Sequence, residues 1–180
     1  MMGTYALLAE ALRYPAPGRI EILQSGAIEM PEGAVKLAFN AFVVGVQDLS
    51  LGEWEELHTR TLDLNPPAAP YVGYQAWGDS YQRGALMASL NQTFQASEID
   101  LDGELPDHLI PILRYLDGPS PLIPELTEVL EPSVRKMLDG LRKAEASNPY
   151  THLLEAILRA VSNMGLRNAD MEKARKPQVQ

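Results

Sequence analysis

The sequence predicts an all-α fold, on three observations. Apolar residues recur every three or four positions along most of the chain, no segment alternates apolar and polar residues with the period of a strand, and proline and glycine fall between the periodic runs. About eight helices in one bundle account for the pattern. A chain of 180 residues is one domain by length and can bury roughly two thirds of its extended surface around a single core.

The first helix runs from Thr4 to Leu12, where Tyr5, Leu8, Ala9 and Leu12 share a face and Pro15 and Pro17 stop it. A second run from Ala34 to Leu49 carries Val35, Ala38, Phe39, Phe42, Val43 and Val46. Ser50-Leu51-Gly52-Glu53 has the form of a capping box, in which serine accepts from the backbone ahead and glutamate reaches back, so a third helix extends to about Leu62. From Asp63 to Pro70 three prolines remove donors and push their predecessors into extended geometry, which predicts a rigid non-helical loop.

Helix resumes near Trp77 or Asp79 and continues to about Ala96, with Tyr81, Leu86, Met87, Leu90 and Phe94 at helical spacing. Glu98 to Glu104 alternates acids with apolar residues and holds no base, which reads as an exposed connection of negative potential. The remaining helices are expected over Pro106–Leu116, Ile123–Leu130, Ser133–Ala144 and Pro149–Met164, the last with Asn148 as N-cap and Pro149 in its first turn. Residues 1–165 form the domain, and 166–180 are a polar tail expected to fray.

Composition narrows the function. The chain has no cysteine, which excludes disulfides, thiolate metal sites and a cysteine nucleophile. The formal net charge of −9 argues against a nucleic-acid partner and favours a basic one. No apolar run reaches the roughly 20 residues of a membrane span, and no basic-then-apolar leader stands at the start, so a cytoplasmic location is expected. His58, His108 and His152 lie in separate segments without metal-ligand spacing, and neither a nucleophile elbow nor a phosphate loop is present. No metal and no cofactor are expected.

Two segments hold residues that core building does not require. Asp107 and His108 stand at a helix start, where a carboxylate can satisfy orphan amides. Pro111 has no N–H, so a helix containing both would leave the Asp107 carbonyl free beside the carboxylate and imidazole, a seat for an arginine or a peptide N–H. Tyr71 and Tyr74 border the proline loop, where a packed face is hard to build, and rings beside acids suit a basic peptide. Trp77 and Tyr81 sit at helical spacing and read as core rings, with peptide contact as the alternative. Gly84 reads as a site of close helix packing, and Arg83 is placed to pair with Asp79.

The order of these parts resembles a known family. The run Tyr74-Gln75-Ala76-Trp77-Gly78-Asp79-Ser80-Tyr81-Gln82-Arg83-Gly84, followed by Glu104-Leu105-Pro106-Asp107-His108-Leu109, is similar to the NarJ branch of the NarJ/TorD/DmsD assembly chaperones of molybdenum enzymes. Leu12-Arg13-Tyr14-Pro15, Leu57, Pro67 and Asn148-Pro149-Tyr150-Thr151-His152-Leu153-Leu154 extend the likeness over most of the chain. Ile112 and Arg114 depart from it, standing where NarJ relatives often carry glutamates.

The resemblance implies a chaperone domain that binds the N-terminal, twin-arginine-like peptide and apo form of a molybdoenzyme catalytic subunit and assists insertion of its molybdenum cofactor. It also implies that Pro106, Asp107, His108 and Leu109 lie at the client-binding surface, and it allows a homodimer. On the residues, the client's apolar side chains are expected at Tyr71, Tyr74, Trp77, Tyr81 and Leu109, and its arginines at Asp107, Glu98, Asp100, Asp102 and Glu104. Two other classes stay open: a small enzyme using Asp107 and His108 as an acid–base pair, and a permanent subunit of an oxidoreductase.

Overall fold

The computed structural model describes residues 2–119 and 123–175. Nine α-helices occupy them: α1 (Thr4–Leu12), α2 (Arg19–Glu29), α3 (Ala34–Val46), α4 (Leu51–His58), α5 (Val72–Trp77), α6 (Tyr81–Ala96), α7 (Leu109–Leu116), α8 (Pro124–Ala144) and α9 (Tyr150–Arg175). No strand forms among the described residues beyond one isolated bridge between Tyr71 and His108. The all-α reading therefore holds. No described helix is long and apolar enough to cross a membrane.

Helix α9 packs on α3, α8 and α1, while α1 also packs on α7, and α5 joins α8 to α6. Phe39, Phe42 and Tyr150 meet in the centre, the last two with ring centroids 5.1 Å apart, and the Trp54 indole N–H donates to the Tyr150 hydroxyl at 3.1 Å. The capping box at Ser50 is complete: Glu53 N–H reaches the serine Oγ at 3.3 Å, and the Glu53 carboxylate accepts from Ser50 N–H at 2.8 Å. Beyond His58 the helix widens into a π turn, Thr59–Asp63, closed by Leu64 N–H to the Thr59 carbonyl at 3.0 Å. Such turns insert one residue and re-aim the side chains beside them.

Several elements differ from expectation. Helix α2 lies where no element is predicted; its inward residues Leu23 and Ala27 alternate with the exposed Ile22 and Ile28, which blurs its periodicity. The proline loop holds a single 3₁₀ turn, Pro66–Ala68, and helix returns five residues early as α5, which Gly78 ends with φ of 65°. Helix α7 starts at Leu109 rather than Pro106. The two helices expected over 123–144 are one: Pro132 faces solvent, so its missing hydrogen bond is lost on the wet side while Leu126, Leu130, Val134, Met137 and Leu141 hold a continuous buried stripe. Helix α9 runs on to Arg175, and residues 176–180 of the expected tail lie outside the described residues.

Two glycines do opposite work. A Cβ at Gly140 would stand 2.8 Å from Pro67 Cβ and 3.1 Å from its carbonyl, so α8 can approach the proline turn only with glycine there. Gly84 meets nothing within 4 Å, which corrects the close-packing expectation. Replacing an exposed helical glycine by alanine stabilises by about 0.4–1 kcal/mol, whereas forcing atoms into a packed contact costs about 1–3 kcal/mol. Gly84→Ala should therefore raise the urea midpoint and Gly140→Ala should lower it.

Candidate functional site

The predicted motif residues converge on one polar clasp. The Val72 N–H donates to the Asp107 carbonyl at 2.8 Å, and the Leu109 N–H donates to the Pro70 carbonyl at 2.8 Å, which ties the end of the proline loop to the start of α7. The carboxylate of Asp107 is fully buried and grips Arg83 of α6, with Nε to Oδ2 at 2.8 Å. Arg83 also reaches Asp79 at 2.8 Å, the pairing expected from their spacing, and lies 5.7 Å from the Tyr71 ring centroid and 5.5 Å from that of Tyr74. Its guanidinium is held charged more firmly than usual, first by the Asp107 hydrogen bond.

This geometry corrects the role drawn for Asp107. Helix α7 excludes it, so Pro111 does not free its carbonyl, and both the carbonyl and the carboxylate have internal partners. His108 is the N-cap instead: its Nδ1 accepts the Ile110 N–H at 3.0 Å. The ring stacks edge-on against Tyr71 at 4.9 Å, and burial, with His58 adding to it, pushes its pKa down to about 3. An acid–base couple between Asp107 and His108 is not formed, because the Asp107 carboxylate is bound to Arg83 and His108 Nδ1 to the Ile110 N–H.

The other predicted residues distribute around the clasp. Tyr71 donates its hydroxyl to Glu104 at 3.0 Å, and burial followed by the Glu104 charge raises its pKa to about 12. Leu109 is buried and Pro106 half-buried, so neither offers a free apolar face. Trp77 and Tyr81, which read as core rings, are 38% and 90% exposed. Both flank the Gly78-Asp79-Ser80 break, at the far end of a six-residue helix about 9 Å long whose first residue is bonded to Asp107. Asp102 is not a free acid: Arg13 Nε binds it at 2.7 Å and Arg114 at 3.3 Å. Glu98 and Asp100 are exposed.

Tyr74 and the acids Asp102 and Glu104, expected around one client peptide, border two separate spaces. Tyr74 lines a groove of about 900 Å³ between the proline turn and α8, with Pro66, Pro67, Pro132, Lys136 and Lys143, and its charge is mixed rather than negative. Asp102, Glu104 and His108 line a separate hollow of about 310 Å³ with Arg13, Tyr14, Arg19, His58 and Asp63. The sequence did not single out these last five as one site. Only their tertiary placement unites them, although Arg13 and Tyr14 belong to the Leu-Arg-Tyr-Pro run. Among the described residues no cluster of three or more His, Asp or Glu is placed to hold a metal.

Comparison with known proteins adds one distant likeness. No family model matches the chain. It is 29% identical over 116 residues to the nitrate reductase-like protein NarX of Mycobacterium tuberculosis, in both strain CDC 1551 / Oshkosh and strain ATCC 25618 / H37Rv. The similarity covers 58% of this chain and 16% of those proteins, so the chain spans a small part of the length of the curated relatives it matches.

Two measurements test the clasp. Leaving Arg83 without its buried partner costs about 3–5 kcal/mol, so Asp107→Ala should lose that much in urea unfolding, and much of it should return when Arg83→Met removes the stranded charge. His108 stays neutral in the fold down to about pH 3 while the unfolded ring charges near pH 6.5. The unfolded state then binds the extra proton, so this group's stabilisation is present above about pH 6.5 and falls by up to about 1.4 kcal/mol per unit below it. His108→Asn, which can still cap α7, should flatten that slope between about pH 6 and pH 4 relative to the parent.

Proposed function

We propose that this chain is an assembly chaperone for a molybdenum oxidoreductase of the nitrate reductase type. In this reading it binds the N-terminal peptide and apo form of the catalytic subunit and assists insertion of the molybdenum cofactor in the cytoplasm, with no cofactor of its own. The observation that carries it is the clasp. Arg83, Asp107 and His108, which bear the family likeness, interlock with Tyr71 and hold Trp77 and Tyr81 outward at the α5–α6 break. The likeness to proteins named nitrate reductase-like supports the choice of client class.

The residues divide into two roles. Asp107, His108 and Leu109 position the surface from beneath. Trp77, Tyr81 and the half-buried Tyr74 supply rings for apolar side chains of the client, and Glu104, Glu98 and Asp100 supply charge for its basic ones. Large rings near the centre of a contact carry much of its energy, on the order of 2 kcal/mol each when truncated.

A calorimetric titration with the client's N-terminal peptide tests the reading. Trp77→Ala with Tyr81→Ala should weaken binding by at least about tenfold while leaving the unfolding midpoint unchanged, since both rings are exposed. Affinity should also fall as salt rises above about 0.1 M, where the screening length drops below about 10 Å. Equal affinity in the double variant removes this surface. Copurification with cofactor-loaded enzyme, in place of the apo subunit, would replace the chaperone by a permanent subunit.

A further inference from the structure

The small hollow has unspent hydrogen-bonding groups of a particular kind. His58 is 6% exposed and ends α4 where the helix widens into its π turn. Its Nε2 lies 3.0 Å from the Leu12 carbonyl, which can only accept, so Nε2 carries a proton, and the tautomer this contact selects has its lone pair on Nδ1. That Nδ1 is buried without a hydrogen-bond partner, and Asp63 stands 3.9 Å from it. A buried acceptor without a donor costs about 1–3 kcal/mol, so a ligand N–H there is favoured.

Charge in the hollow has the same sense. Arg19 is committed to Glu10, and Arg13 to Glu10 and Asp102, the latter shared with Arg114. Among the described residues no lysine or arginine pairs with the carboxylates of Asp63 and Glu104; His58 Nδ1 stands 3.9 Å from the first. Glu104 accepts only the neutral Tyr71 hydroxyl, and the neutral His108 Nε2 stands 4.0 Å away. Three acceptors, two of them charged, therefore border one space. Two donors border it as well: the Arg19 Nε–H, buried without a partner, and His108 Nε2, protonated because Nδ1 is the cap acceptor.

A ligand that answers both sets must combine a planar cation bearing several N–H groups with a carbonyl oxygen. A bare metal ion would leave the Arg19 N–H unsatisfied, and an anion would face Asp63 and Glu104. We propose that this hollow seats an arginine of a bound peptide, its guanidinium on Asp63, Glu104 and His58 Nδ1 and a peptide carbonyl toward Arg19 or His108. The space of about 310 Å³ is at the low end of the roughly 300–1,000 Å³ of ligand sites and holds one long side chain rather than a folded segment. As a statement about the client, the inference rests on the chaperone reading above; the hollow's chemistry does not.

The test uses N-acetyl-argininamide and its neutral isostere N-acetyl-citrullinamide as probes of the full chain, followed through the histidine ring signals. Argininamide should shift His58 and His108 and leave the exposed His152 unmoved, and citrullinamide should shift none. Asp63→Asn and Glu104→Gln, both at partly exposed positions that the fold tolerates, should each weaken argininamide by about tenfold. Absence of a His58 response, or equal responses to the two probes, overturns the seat. Argininamide binding without client-peptide binding would sink the chaperone reading and leave the seat standing.

Discussion

The Arg83–Asp107 pair joins the start of α6 to the start of α7, where α6 has little apolar packing of its own. Asp107 stands just before α7, whose Leu109, Ile110, Ile112 and Leu113 are all buried, so its carboxylate is anchored to the core from behind. Arg83 lies in α6, where only Leu86, Leu90 and Phe94 of sixteen residues are buried. A helix with so narrow an apolar stripe gains little from burial at its start, and the ion pair supplies what packing does not. At its other end Phe94 meets Tyr115 of α7 at 5.5 Å, so α6 is pinned by charge at one terminus and by rings at the other.

The cost of sinking the Asp107 carboxylate completely is offset by the Arg83 guanidinium, which donates to both of its oxygens. Gly73 lets α5 come close enough: a Cβ there would stand 2.9 Å from both Asp107 Oδ2 and Arg83 Cγ. Val72 then donates its N–H to the backbone carbonyl of Asp107, and its own carbonyl accepts from Ser133 of α8 at 3.0 Å. Lys136 adds a bond to the Gln75 carbonyl at 2.9 Å. A helix of six residues is far too short to be stable alone, and every one of these bonds replaces the cooperativity that its length cannot provide.

What was legible in the sequence follows from which interactions are local. The span of α1 and the capping box of α4 depend on residues within one turn of each other, and both lie where spacing places them. Helix α8 was divided at Pro132 because a proline's local penalty is visible and the buried stripe that overrides it requires a partner helix. Asp107 was found by its motif and misjudged in its role for the same reason. Its partner is 24 residues away, and no spacing rule joins a carboxylate to an arginine across a loop. Trp77 and Tyr81 read as core by residue type, yet the helix that would have buried them breaks at Gly78. His58 gave no signal because its meaning lies in a lone pair, which depends on the carbonyl facing its other nitrogen.

Net charge is a poor guide to such a site, since several of the carboxylates around it are already paired with arginines. Asp107 answers Arg83, while Glu10 and Asp102 answer Arg13, Arg19 and Arg114. The formal −9 acts at long range, raising the encounter rate with a basic partner and fading beyond about 8–10 Å in ordinary salt. Discrimination needs groups that are dry and unpaired, because a ligand lacking the matching donor leaves them so at a cost that bulk water cannot relieve. His58 Nδ1 and Arg19 Nε are buried and without a protein partner among the described residues, and the surface acids are not buried. If the hollow seats a peptide arginine as proposed, selectivity for one basic peptide over others would come from the few orphaned atoms beneath the surface, and the surrounding acidity would only set how often the choice is made.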